Sequence, residues 1–254
     1  MIRIKKRTFS GAVCEQEVFT VSSRAGIKKA EYEPRFSSDE ERARHRLEIS
    51  RRNHTRLVNA NFSPSSLYST LTFDEDNECH DWESCRKLRD LYVRRLKRVY
   101  PNAVIFIYCG QGKTTHRWHM HMLSEGLPEA AIAEKWGFGT MIRIEHLRAH
   151  VYYDGEDHGA DYTSLANYLF DHWTPDQGCH RWKMTKNAKR PESEAPKEAK
   201  RNYSIERPPQ APRGFRLVEA RSNSYGYLYF KYVADAPDEK RYRPRQQDII
   251  RKTE

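Results

Sequence analysis

From residue 63 onward the hydrophobic positions change period in an orderly way. Leu67-Tyr68-Ser69-Thr70-Leu71-Thr72-Phe73 alternates with period two, which predicts a strand. Trp82 to Tyr100 carries Cys85, Leu88, Tyr92, Leu96 and Val99 at helical spacing. Ala103 to Cys109 is a short apolar run and predicts a buried central strand. Gly110 to Thr115 turns the chain, and residues 116–124 alternate again. There Trp118, Met120 and Met122 point one way and His119 and His121 the other. Pro128 opens a helix that runs to Trp136, and Met141 to Glu145 is a further strand. The resulting order, β-α-β-β-α-β, is the split pattern of ferredoxin-like sheets. It puts the first and third strands side by side. One sheet face is then covered by helices and the other stays open, with His119 and His121 beside Tyr68, Thr70 and Thr72. The expected fold class is therefore α+β with an antiparallel sheet.

The flanks are less patterned. Residues 8–22 alternate loosely as one or two strands, and 28–36 reads as loop. Ser37 to Glu41 opens a basic helix that reaches about Asn61. A helix over 162–172 turns Tyr162, Ala166, Leu169, Phe170 and Trp173 to the core and leaves Tyr168 off that side, next to Ser164, Leu165, Asp171 and His172. Residues 180–213 look like a basic surface loop, 214–232 a hairpin, and 235–254 a frayed tail. Three regions are expected: a basic N-terminal extension over 1–62, a core over 63–180, and a basic linker with a hairpin over 181–254.

Charge sharpens this division. The net charge of +10 sits in the flanks. Residues 1–62 hold 14 basic and 8 acidic side chains, 181–216 hold 11 and 4, while 63–180 hold 12 and 17. Basic flanks suit a polyanionic partner such as nucleic acid. Arg51, Arg52 and Arg56 lie on an Arg-rich face of the first helix, which can follow phosphates or simply be solvated. The chain has no apolar run long enough for a spanning helix and no apolar signal region behind its first charges, so a cytoplasmic protein without a membrane partner is expected. Five cysteines without regular spacing argue against a disulfide framework, and in the short cluster of Cys79, His80 and Cys85 the cysteines read as free buried thiols sooner than as part of a zinc site.

The two histidines of one strand face stand roughly 7 Å apart at Cα, within reach of one metal ion. A metal polarises a phosphate, and a phenol can attack it and hold the strand reversibly. At this point the chain resembles a family. His119-Met120-His121 looks like the HUH motif of rolling-circle replication initiators, here those of bacterial mobile elements and prophages. Leu71-Thr72-Phe73 is similar to that family's first motif. Leu165-Ala166-Asn167-Tyr168-Leu169 resembles its nucleophile helix, and Arg181 to Pro191 the basic segment that follows. The resemblance implies Tyr168 as the single nucleophile. It implies His119, His121 and Gln111 as ligands of a divalent ion, Mn²⁺ or Mg²⁺. DNA contacts are expected from Arg51, Arg52, Arg56, Thr70, Thr72, Arg117, Arg181, Lys183, Lys186, Lys189 and Arg190. The implied activity is nicking of single-stranded origin DNA, presented as a hairpin, through a 5′-phosphotyrosine, with a host polymerase and helicase completing replication. Asp171 stands where this family often carries a lysine, which leaves that role unassigned. An HUH transposase or relaxase, or a non-catalytic RRM-like binding module, are the alternatives.

Overall fold

The computed structural model describes residues 2–21, 38–112, 114–153, 155–172, 182–224 and 226–235. In chain order the elements are β1 (Ile2–Ser10), β2 (Val13–Val21), α1 (Asp39–Asn61), β3 (Leu67–Thr72), α2 (Trp82–Val99), β4 (Val104–Gln111), β5 (Trp118–Glu125), α3 (Glu129–Trp136) and β6 (Ile142–His146). There follow β7 (Tyr152–Tyr153), β8 (Glu156–Asp157), α4 (Thr163–Asp171), β9 (Trp182–Met184), β10 (Glu192–Ser193), β11 (Lys197–Glu198), β12 (Phe215–Ser222) and β13 (Leu228–Ala234). The protein is α+β, with antiparallel sheets and four helices among the described residues.

The central sheet has the order β6-β3-β5-β4-β9. As the order of elements leads one to expect, β3 lies beside β5, with Thr70 opposite His121 and Thr72 opposite His119. Helices α2 and α3 cover one face, where Leu71, Ile105, Ile107, Trp118, Met120 and Met122 pack with Tyr92, Leu96, Ile132 and Trp136. Cys79, Cys85 and Cys109 are free thiols buried in the same core.

The second face is not open, and this corrects the expectation. Phe106 and Tyr108 of β4 and Leu123 of β5 present apolar surface on the histidine side too, and they are covered by Leu57, Val58 and Phe62 of α1 and by Ala166 and Leu169 of α4. An apolar run such as β4 buries both of its faces, so it needs cover on both. His121 is buried at the edge of this cluster, opposite Tyr108, and His119, one pleat further along, is only partly covered.

The N- and C-terminal strands form a second sheet, β10-β1-β2-β13-β12, with β11 also pairing with β1. A two-residue turn at Gly11-Ala12 joins β1 to β2. Gly11 has φ of +58°, and a Cβ there would sit 2.1 Å from the Asn59 carbonyl oxygen. The stretch 182–213, expected as a loop, contributes edge strands instead: β9 extends the central sheet, and β10 and β11 border β1. Residues 22–37 and 173–181, with the tail from 236, lie outside the described residues, as do Ser37, Trp173 and Arg181.

One buried polar cluster joins the two sheets. Asp161 has no exposed surface and accepts from Lys231 Nζ of β13 at 3.2 Å. The same carboxylate accepts from the Thr163 backbone N–H at 2.9 Å and so caps the first turn of α4. Asn59 of α1 accepts from the Tyr162 N–H at 2.9 Å. Replacing Lys231 by Met would leave a buried carboxylate without its cation, which is expected to cost about 3–5 kcal/mol. Urea unfolding of Lys231→Met measures this, and a loss below about 1 kcal/mol would show that Asp161 is not held by charge.

Candidate functional site

Three imidazoles converge at one end of β5. His119 and His121 project from alternate positions of the strand, as period two dictates. The third, His172, is the residue that ends α4, and its backbone N–H still bonds to the Tyr168 carbonyl at 2.9 Å. His119 Nε2 lies 2.8 Å from His172 Nε2 and 3.2 Å from His121 Nε2. All three ligand atoms fall within 4.8 Å of one another, and no other His, Cys, Asp or Glu group among the described residues meets that condition. Two nitrogens bound to one ion at about 2.0–2.1 Å stand roughly 3 Å apart, so the donor set fits a divalent ion.

Local packing explains the convergence. Gly110 lies opposite His119 in the β4–β5 register, and a Cβ there would sit 2.5 Å from His172 Cδ2. The missing side chain is the space that the third ring fills. The other nitrogen of His121 is also engaged: Nδ1 is 2.7 Å from the Tyr68 hydroxyl and 3.2 Å from the Thr70 hydroxyl. Burial, with the neighbouring His119 and His172 charges adding to it, holds the His121 pKa down at about 3. Burial also lowers that of His119. Both rings are therefore neutral near pH 7 and have lone pairs to give a metal.

Tyr168 stands over this cluster. Its ring centroid is 5.8 Å from that of His121 and 5.2 Å from that of His172, and the residue is 50% exposed. Tyr162, by contrast, is buried and donates its hydroxyl to the Arg148 carbonyl at 3.1 Å. The helix thus buries one tyrosine and presents the other, as its periodicity requires.

Several expected site residues are employed differently. Gln111 pairs with Trp118, whose side chain belongs to the α2-covered core, so strand parity turns Gln111 to the face away from the histidines. The third position of the cluster belongs to His172. The sequence signal for it is its spacing: four residues after Tyr168, hence on the same side of the helix. Thr70 faces His121, and Thr72 pairs with His119. Arg56, mostly covered, pairs with Glu15 and Glu17 of β2, and Arg52 pairs with Glu17 at 2.9 Å, so this part of the helix face holds the second sheet. Arg51 makes a bidentate pair with Asp171 at 2.5 and 2.6 Å at the end of α4. Lys183 points to the α2 side and pairs with Asp90 at 2.9 Å. Arg117 pairs with Glu78 at 3.0 Å. Lys186, Lys189 and Arg190 are exposed.

His54 of α1 lies over the same sheet face, where its partner Tyr108 stands opposite His121 in the β4–β5 register. It is buried among Tyr108, Phe170 and Trp182, with Nε2 2.8 Å from the Tyr108 hydroxyl. Burial lowers its pKa to about 4. The unfolded chain takes up this proton near pH 6.5 and the folded chain only near 4, so stability is lost as pH falls between those values. His54 contributes on the order of 3 kcal/mol to that loss, and His121 acts in the same direction. Unfolding of metal-free protein across pH 7 to 4 should show the decline, and His54→Gln should make it shallower; equal slopes would contradict the assignment. At the cluster, His172→Ala should weaken divalent-ion binding by at least tenfold in calorimetry, as His119→Ala should. Gln111→Ala should leave it unchanged.

No protein-family model, curated protein or solved structure matches this chain.

Proposed function

We propose that this protein is a metal-dependent, tyrosine-type endonuclease and strand transferase for single-stranded DNA, of the HUH kind, built on a ferredoxin-like core. The observation that carries this reading is the packing of one half-exposed tyrosine, Tyr168, against His121 and His172, two of three convergent imidazoles. Each part has an ordinary explanation alone. Together they assemble a nucleophile and a Lewis-acid site on one surface.

In this reading His119, His121 and His172 would hold the ion, which when bound polarises the scissile phosphate. Three imidazole donors favour a transition-series ion such as Mn²⁺ over Mg²⁺ in affinity. The Tyr168 oxygen attacks phosphorus and loses its proton. The bond from phosphorus to the 3′ oxygen breaks, and that oxygen leaves as a 3′ hydroxyl. The 5′ phosphate stays on Tyr168 as a phosphodiester, and attack by a hydroxyl in the reverse sense rejoins the strand. A phenolate leaves more readily than an alkoxide, which makes the covalent state reversible.

Role assignments follow from exposure. Lys186, Lys189 and Arg190 are free to meet phosphates, and Arg51 stands at the Tyr168 end of α4, held there by Asp171. Opening of a rolling circle at an origin hairpin, with host polymerase and helicase, is the biological setting we propose. The rival RRM-like module is disfavoured by the fold, because α1 and α4 cover most of the face on which bases would stack. No helix among the described residues is long and apolar enough to cross a membrane.

Incubation with a library of single-stranded oligonucleotides and Mn²⁺ tests the reading. The wild-type protein should form a covalent adduct that maps to Tyr168. Tyr168→Phe should abolish the adduct with DNA binding retained, and His119→Ala should reduce cleavage at least a hundredfold. An adduct that persists in Tyr168→Phe would overturn the assignment.

A further inference from the structure

His121 is gripped on both sides of its ring, and only one side is explained by the metal reading. Nε2 faces the other two imidazoles at the cluster. Nδ1 faces the opposite way, into β3, and meets two hydroxyl oxygens: Tyr68 at 2.7 Å and Thr70 at 3.2 Å. The Tyr68 ring also stacks on the imidazole, with an interplanar angle of 17° and centroids 5.7 Å apart. Both residues reach it because β3 pairs with β5 in the register that sets Thr70 opposite His121 and Tyr68 one position further along the face.

A neutral imidazole carries its proton on one nitrogen only. If Nδ1 were the bare nitrogen, its single lone pair could accept from one of the two hydroxyls only, and Nε2–H would point at the cluster, where a ligand must be bare. If Nδ1 carries the proton, the arrangement resolves. Nδ1–H donates to the Tyr68 oxygen at 2.7 Å, and the Thr70 oxygen at 3.2 Å is a second acceptor beside it. Nε2 is then left with its lone pair toward His119 and His172. An outer partner that fixes tautomer and ring orientation is the usual companion of a metal-ligating histidine, and it is most often a carboxylate or a backbone carbonyl. No carboxylate takes that place here.

We infer that Tyr68, supported by Thr70, is a positioning residue that fixes the Nδ1–H tautomer and the ring plane of His121 so that its Nε2 can serve as a metal ligand. This rests on the reading of the three histidines as a metal site. It also gives Thr70 a role other than the DNA contact suggested by the sequence. The use of a phenol has a chemical consequence. A neutral acceptor adds no negative charge behind the ligand, so the site keeps the charge of the ion undiminished for a polyanionic substrate.

The tautomer can be read without metal and without DNA. In ¹⁵N-labelled metal-free protein, long-range ¹H–¹⁵N spectra should show His121 protonated at Nδ1. Tyr68→Phe keeps the stacked ring and removes the hydroxyl. It should shift His121 toward a tautomer mixture and weaken Mn²⁺ binding, measured by calorimetry, by about 10–100-fold. The double variant Tyr68→Phe with Thr70→Val should weaken it at least as much, with unchanged circular dichroism. A wild-type His121 protonated at Nε2 would overturn the inference, as would unaltered Mn²⁺ affinity in both variants. Failure of the wild-type protein to bind Mn²⁺ would overturn the metal reading itself, and the metal-free tautomer separates that failure from the first.

Discussion

The arrangement depends on a carboxylate that water cannot reach. Asp161 is wholly buried, just before α4, and carries a charge that must be answered inside the protein. It is answered from two directions: by Lys231 of the second sheet and by the backbone and hydroxyl of Thr163. Asn59 of α1 adds its amide to the same carboxylate at 3.4 Å. The first turn of α4 is thereby attached to a helix and to a strand that are otherwise remote in sequence. At the far end of the helix the Arg51–Asp171 pair makes a second attachment, exposed and correspondingly weaker. Tyr168 lies between these two fixings, and His172 follows directly after the second. The orientation of the candidate site is a consequence of how a nine-residue helix is held at its ends.

Much of the central sheet was legible because its signals are local. The alternation of Trp118, Met120 and Met122 against His119 and His121 sorts the two faces without any tertiary information, and the β3–β5 pairing follows from the order of elements. The exposure of Tyr168 against the burial of Ala166 and Leu169 follows in the same way from helical period. The open face did not survive, although the warning was in the chain. A strand as apolar as Ala103 to Cys109 has no solvent face, and α1 and α4 supply its second cover.

What escaped the sequence was pairing at long range. The Arg-rich face of α1 reads as a phosphate track only while the acids of β2 are ignored. Glu15 and Glu17 lie some forty residues away in sequence, and nothing local reveals that they meet Arg52 and Arg56. The third imidazole was hidden for a similar reason. His172 reaches β5 by crossing over Gly110, and an absent side chain on one strand is not a visible partner for a ring at the end of a distant helix. Gln111 was suggested by resemblance, yet one position of strand parity separates it from the face that matters.

The pairing of β2 with β13 carries a consequence for the order in which the molecule is made. Val18 lies opposite Leu228, so the second sheet closes only when two segments more than two hundred residues apart have met. Lys231 arrives on that same last strand. On a ribosome, the central sheet, all three histidines and Tyr168 are synthesised well before the cation that neutralises Asp161. Until then the carboxylate either stays hydrated, with α4 unseated, or is buried at a large cost. The candidate site thus reaches its final support only once the last described strand has been synthesised and paired.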